Sequence, residues 1–178
     1  YHKYSAFTYT FYNLPVNKFL TGGTTAEDGT VTINGSTEGV TVTVAVITYE
    51  GSDYYYGFTS IEDAIEFAKE GDTVTLIRDV TTSKTLKIEK NVTIDGNGKT
   101  ITYTGSDRAI DIPSNAAKVN VTIKNLTVDC TASYCQRGIN YNDDGELTLE
   151  KVTVKGVNVT YALNLPGSSD NAEVTIKD

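Results

Sequence analysis

The chain has no methionine, no tryptophan and only one histidine, His2, and just two cysteines among its 178 residues. Each scarcity removes a class of function. A zinc site takes about four nitrogen or sulfur ligands, and one histidine with a single cysteine pair does not supply them; no metal and no other cofactor is expected. The longest apolar runs are a few residues, far short of the roughly 20 that cross a bilayer as a helix, so membrane insertion is not expected either. Fifteen basic residues stand against 23 acidic ones, a net charge of -8. The basic residues are scattered instead of clustered, which argues against a nucleic-acid partner. No charged-then-apolar leader is visible at Tyr1. The missing methionine reads as the mark of a piece cut from a longer chain.

What is present is a repeat. Arg108-Ala109-Ile110-Asp111-Ile112-Pro113, Arg137-Gly138-Ile139-Asn140-Tyr141-Asn142 and Tyr161-Ala162-Leu163-Asn164-Leu165-Pro166 align without gaps. Each is followed, in the same order, by a second short strand: Val121 to Lys124, Leu147 to Glu150 and Val174 to Lys177. The mean period is about 26 residues, with no helix in between, and such a period marks a solenoid. One repeat cannot bury its apolar side alone and must stack on the next. Ile110, Ile112, Ile139, Leu163, Val121, Ile123, Leu147 and Leu149 are therefore expected inside, in layers. Val174 to Lys177 stops where the earlier copies go on to Leu126-Thr127-Val128 and Val152-Thr153-Val154. Further coils are expected beyond Asp178.

The segment 1–50 reads differently. Tyr4 to Tyr12 alternates, with Phe7, Tyr9 and Phe11 on one face and Thr8, Thr10 and Tyr12 on the other. Pro15 ends this strand, Gly22-Gly23 turns the chain, and Asn34-Gly35 is a hairpin signal before Val40, Val42, Val44 and Val46 line one face. This is a small antiparallel β unit, expected to pack on the solenoid of 51–178. Between them, residues about 60–70 are the one convincing helix. Thr59 or Ser60 can cap it, Glu62 and Asp63 suit the positive end of its dipole, and Gly71 suits a left-handed stop. Its stripe of Ile61, Ala64, Ile65 and Ala68 fits a cap over the open end of the first coil.

Asp72 to Val80 begins the coils, and Val92-Thr93-Ile94 joins the second ladder. Thr75, Thr93, Thr122, Thr148 and Thr175 are expected in one outward column, beside Lys124, Glu150 and Lys177 alternating in sign. The fold class read from the residues is thus all-β: a solenoid of stacked parallel strands with one N-terminal capping α-helix and a small N-terminal antiparallel unit.

The stretch from Gly57 to Thr102, with its AKEGDTV helix exit, IRDV strand and VTIDGNGKTI coil, resembles the opening of pectin-lyase-like right-handed parallel β-helix domains found in large surface proteins of Gram-positive bacteria, many of them gut species. With the coils after it, the resemblance spans roughly Tyr54 to Asp178; Tyr1 to Glu50 lies outside it. It implies a fold more than an activity, because the same architecture carries lyases, hydrolases, adhesins and stalks.

Acid-base chemistry of the lyase or hydrolase kind needs facing carboxylates. The outward positions of the first ladder are read as Asp111, Asn140 and Asn164, which hold one carboxylate and no dyad. Asp143-Asp144 lies in an NDDGE turn, where Asp and Gly are favoured for backbone reasons; the alternative is a weak Ca²⁺ or ligand contact. Arg108 and Arg137 recur at one repeat position and are expected to tie loops together or pair with Asp107. Cys130 and Cys135, in CTASYC, are either a disulfide closing a small loop or two buried thiols.

Twelve tyrosines remain to be explained. Tyr54, Tyr55 and Tyr56 are consecutive and cannot all face one core if extended. Either they seal the junction between the two units or, with Tyr9 and Tyr12, they form a binding patch, since exposed Tyr is a favoured contact residue. The reading that follows is a non-catalytic adhesion module, extracellular and on the cell surface or wall. It would contact a host protein, immunoglobulin included, or a glycan, and act as a monomer within a longer chain. The alternative is the non-catalytic front of a polysaccharide lyase or hydrolase of the β-helix type.

Overall fold

A computed structural model describes residues 23–25, 31–33, 43–48, 55–115, 117–156, 160–165 and 172–178. Along the chain run β1 (Gly23–Thr25), β2 (Val31–Ile33), β3 (Ala45–Thr48), β4 (Tyr55–Phe58), the helix α1 (Ile61–Phe67), β5 (Thr73–Leu76), β6 (Val80–Thr82), β7 (Leu86–Lys87), β8 (Val92–Asp95), β9 (Thr100–Tyr103), β10 (Arg108–Ile112), β11 (Asn120–Asp129), β12 (Arg137–Tyr141), β13 (Glu146–Lys155), β14 (Tyr161–Asn164) and β15 (Glu173–Lys177). Among the described residues, β5 to β15 pair with one another only in parallel. One sheet runs β15-β13-β11-β8-β5-β3-β4, with β6 and β9 alongside, and the other runs β14-β12-β10-β7. Successive coils stacked in this way make a β-solenoid.

The registers follow the repeat alignment. Ile110 pairs with Ile139 and Ile139 with Leu163; Val121 pairs with Leu147 and Leu147 with Val174. All of these are buried except Leu163 and Val174, which are half-buried on the last coil. One core column contains Ile47, Val74, Ile94, Ile123, Leu149 and Ile176 in neighbouring strands. Each fully buried Ile or Leu in it contributes roughly 1.5–3 kcal/mol. Burial falls off at the far end: Ile123 is 0% exposed and Ile176 is 68% exposed. Ile176 has a coil on one side only among the described residues.

Sharp corners let a coil close. Asn125 (φ 51°) and Lys151 (φ 52°) divide β11 and β13 each into two arms, and Asn97 (φ 50°) with Gly98 (φ 75°) turns the chain between β8 and β9. Asn tolerates the left-handed region better than most residues.

The antiparallel part enters the main sheet through β3, which pairs antiparallel with both β4 and β5. Its core residues are Ala45 and Ile47, while Val46 lies on the opposite face. β1 and β2 pair antiparallel, Gly23 opposite Ile33, so Gly23 is strand and the connection between them lies in 26–30. Tyr4 to Tyr12 and the Asn34-Gly35 turn lie outside the described residues.

The helix is shorter than the expected 60–70. Ser60 caps it, its Oγ accepting the Asp63 N–H at 3.0 Å. Ala68 already leaves helical geometry (φ -54°, ψ 142°), and Gly71 takes the left-handed turn three residues further on, at the entry to β5. The early exit has a chemical reason in the next coil. Lys90 Nζ donates to the carbonyls of Glu66 (2.8 Å) and Ala68 (2.7 Å), placing a cation at the negative helix end. Ile61, Ala64, Ile65 and Ala68 are all buried, packing the helix against the start of the solenoid. Among the described residues no helix is long and apolar enough to cross a membrane.

Candidate binding surface

β4 is the last strand of the main sheet, and its alternation separates the consecutive tyrosines. Tyr56 and Phe58 lie opposite Ile47 and Ala45, on the core side, while Tyr55 lies opposite Thr48 on the other face. Tyr56 therefore continues the core column beyond Ile47, but at the sheet edge, where no further strand covers it among the described residues. Its ring meets Phe67 at a centroid distance of 5.3 Å and an angle of 49°, and Phe58 meets the same Phe67 ring at 5.3 Å and 51°. These tilted arrangements suit the ring quadrupoles. Tyr56 remains 47% exposed and Phe67 46% exposed. The result is an aromatic corner between β4 and α1, half sealing the core and half open.

Phe67 had no place in the sequence-based site. The signal was present, since Phe67 is the one large apolar residue of α1 that falls off the Ile61, Ala64, Ile65, Ala68 stripe. Tyr54, Tyr9 and Tyr12 lie outside the described residues.

The first ladder does not present its polar residues to solvent as expected. Asp111 is 7% exposed and Asn140 is 3% exposed. Asn140 Nδ2 donates to Asp111 Oδ1 at 2.6 Å, and Asn164 Nδ2 donates to Asn140 Oδ1 at 2.8 Å, so the three form a hydrogen-bonded ladder from coil to coil. An amide carries donor and acceptor on one group, and stacking lets each amide satisfy its neighbour. At the mouth of the same strands, Arg108 Nη1 reaches Asp111 Oδ2 at 3.5 Å and its Nε lies 3.8 Å from Asp107. Arg137 Nη1 donates to Asn140 Oδ1 at 2.7 Å.

The threonine column differs from the expected one at one position. Thr93, Thr122, Thr148 and Thr175 pair in register, but the residue of β5 beside Thr93 is Thr73. Thr75 instead faces Asp95, and Thr48 of β3 faces Thr73. The charged column gains a member for the same reason: Asp95, Lys124, Glu150 and Lys177 are successive neighbours, with Lys124 Nζ 3.4 Å from Asp95. At the corner below them, Asp95, Asn97, Asn125 and Lys151 border an open groove of about 450 Å³.

Asp143 is fully buried, and its carboxylate accepts the backbone N–H groups of Asn115 (2.7 Å), Val119 (2.8 Å) and Gly145 (2.8 Å). The acidic turn thus works on its own backbone. Cys130 and Cys135 are unbridged and buried. Burial, and then the hydrogen bond with Cys135, pushes the Cys130 thiol up to about 12. The Cys135 thiol also donates to the carbonyl of Arg137 at 3.1 Å.

Comparison with known protein families, curated proteins and solved structures finds no match to this chain.

Proposed function

We propose that this chain is a non-catalytic binding module of a secreted or wall-attached bacterial surface protein. The solenoid serves as a rigid arm, and the aromatic corner contacts a host protein, secreted antibody included, or a glycan. The placement on a Gram-positive surface rests on the resemblance of Gly57–Thr102 to pectin-lyase-like β-helix domains. The binding role rests on the Tyr56–Phe67 pair. Two large rings, each with nearly half its surface in water and held by one another, are the residue type and setting that anchor interfaces. Covering apolar area releases roughly 25 cal/mol per Å², and rings already fixed by packing lose little entropy on binding.

A pull-down from host secretions, with mass spectrometry of what is retained, identifies the partner. Tyr56→Ala with Phe67→Ala is then compared with Lys124→Ala with Glu150→Ala. The aromatic pair is expected to weaken binding by about tenfold or more, the equivalent of about 1.4 kcal/mol, and the charged pair to change it little. The opposite ranking, with both proteins folded by circular dichroism, would place the contact on the solenoid face. The same reading holds that there is no turnover of acidic or neutral polysaccharides, with or without Ca²⁺. Product released from polygalacturonate above a heat-killed control overturns that part.

A further inference from the structure

Arg108 and Arg137 are direct neighbours in the parallel pairing of β10 with β12. Adjacent strands lie about 4.8 Å apart, and like charges placed opposite each other on a sheet repel. The lower arginine has its countercharge: Asp111 at 3.5 Å, with Asp107 at 3.8 Å. The upper one does not. In the coil of Arg137 the position of Asp111 is taken by Asn140, a neutral amide, and that amide oxygen already accepts from both Arg137 Nη1 and Asn164 Nδ2. Among the described residues no carboxylate reaches Arg137.

The guanidinium groups are also short of acceptors. Among the described residues the Nε of Arg108 and the Nε of Arg137 are both buried without a hydrogen-bond partner. Their heads are nonetheless pinned, one by Asp111 and one by Asn140, while the Arg108 side chain keeps 34% of its surface exposed and Arg137 is half-buried. Two cations stand in register on neighbouring strands, and the one close, buried carboxylate, Asp111, faces only the first of them. A guanidinium offers five N–H donors in a planar fork, and that fork matches an oxyanion in geometry as well as charge.

We propose that Arg108 and Arg137 form an oxyanion site, taking the carboxylate or sulfate group of a ligand at the N-terminal ends of β10 and β12. The anion bridges the two guanidinium groups through the N–H donors that Asp111 and Asn140 leave unused, turning a repulsive pair into a clamp. The polar ladder beneath is the positioning element: Asp111 and Asn140 set the two heads, and Asn164 fixes Asn140. This site is on the smaller sheet and is independent of the aromatic corner, so either can fail without the other.

The test is titration of the full chain with sodium sulfate and, separately, sodium acetate, with ionic strength held constant by sodium chloride. The arginine Nε–Hε signals are followed by NMR. Saturable, millimolar shifts of the Arg108 and Arg137 signals are expected with at least one of the two anions. Saturation with acetate assigns a carboxylate-bearing ligand, and saturation with sulfate assigns a sulfated one. Arg137→Gln should weaken binding by about tenfold or more, because charge-assisted bonds are the strong ones, whereas Lys155→Ala should leave it unchanged. If Arg137→Gln does not fold, Arg137→Lys replaces it; it keeps the charge, loses the fork, and should also weaken binding. Shifts that never saturate with either anion, or that survive unchanged in the Arg137 variant, overturn the site.

Discussion

Asp143 and Val119 are joined by a hydrogen bond of 2.8 Å from the Val119 N–H to Oδ1 of a carboxylate with no solvent exposure. The same oxygen accepts from Gly145, and Oδ2 accepts from Asn115, so one side chain stitches the loop before β11 to the turn before β13. Asp143→Asn keeps the size and one oxygen but turns an NH₂ group toward the Asn115 N–H. A hydrogen bond to a charged group is worth about 1.5–3 kcal/mol, and the expected loss of stability is about 2–3 kcal/mol by urea unfolding. A change below about 0.5 kcal/mol would mean that the carboxylate does not hold the turn.

Gly138 occupies the repeat position that Ala109 and Ala162 hold in the coils on either side. A Cβ there would collide with Val154 Cγ1 and approach the Ala162 carbonyl oxygen at 2.8 Å. Gly138→Ala should therefore destabilise by about 1–3 kcal/mol, the usual cost of overpacking. Pairing it with Val154→Ala should recover part of that loss, a coupling that a double-mutant cycle measures directly.

Asp129 is held well below the usual carboxylate range, at about 2, first by the Thr131 hydroxyl, then by the Thr131 N–H and by Lys155. A lowered folded-state pKa means the stabilisation is complete above the unfolded value of 3.8 and is lost as pH falls toward 2. Between pH 4 and pH 2 the melting temperature of Asp129→Asn should fall less steeply than that of the parent chain. Parallel curves would show that Asp129 contributes nothing to acid sensitivity.

Cys130, with its thiol pushed up to about 12 and no exposed surface, should react slowly with thiol reagents at pH 8 in the native state. Denaturation without reductant should release two reactive thiols per chain. Finding none after denaturation would show that Cys130 and Cys135 pair once the protein meets an oxidising compartment.

The solenoid was legible because its evidence is redundant. Ile110, Ile139 and Leu163 fall in register by gapless alignment, and Val121, Leu147 and Val174 repeat the result independently. The threonine column failed at one point only, for a physical reason. Thr73 and Thr75 lie on the same face of β5, and a slip of two residues leaves every side chain on its original side, so alternation cannot tell the two registers apart. Asp111 and Asn140 look outward in the sequence because polar residues usually are. Burial became tolerable only through a partner in the next coil, about one period away in sequence. Asp143 is legible in NDDGE as a residue held for backbone reasons; what the turn does not reveal is that its carboxylate reaches Asn115 and Val119, 28 and 24 residues away in sequence. Phe67 is less visible because α1 declares itself by its buried stripe, and Phe67 falls outside that stripe.

The column of Asp95, Lys124, Glu150 and Lys177 has a consequence for how anything would approach this molecule. Charges that alternate at the spacing of neighbouring strands, about 4.8 Å, cancel within a distance shorter than the Debye length at physiological salt, about 8 Å. To a diffusing partner that strip is electrically silent: it neither draws the partner in nor turns it. Any steering toward that face, and any response of the encounter rate to added salt, would come from the chain's net charge of -8 and not from the strip.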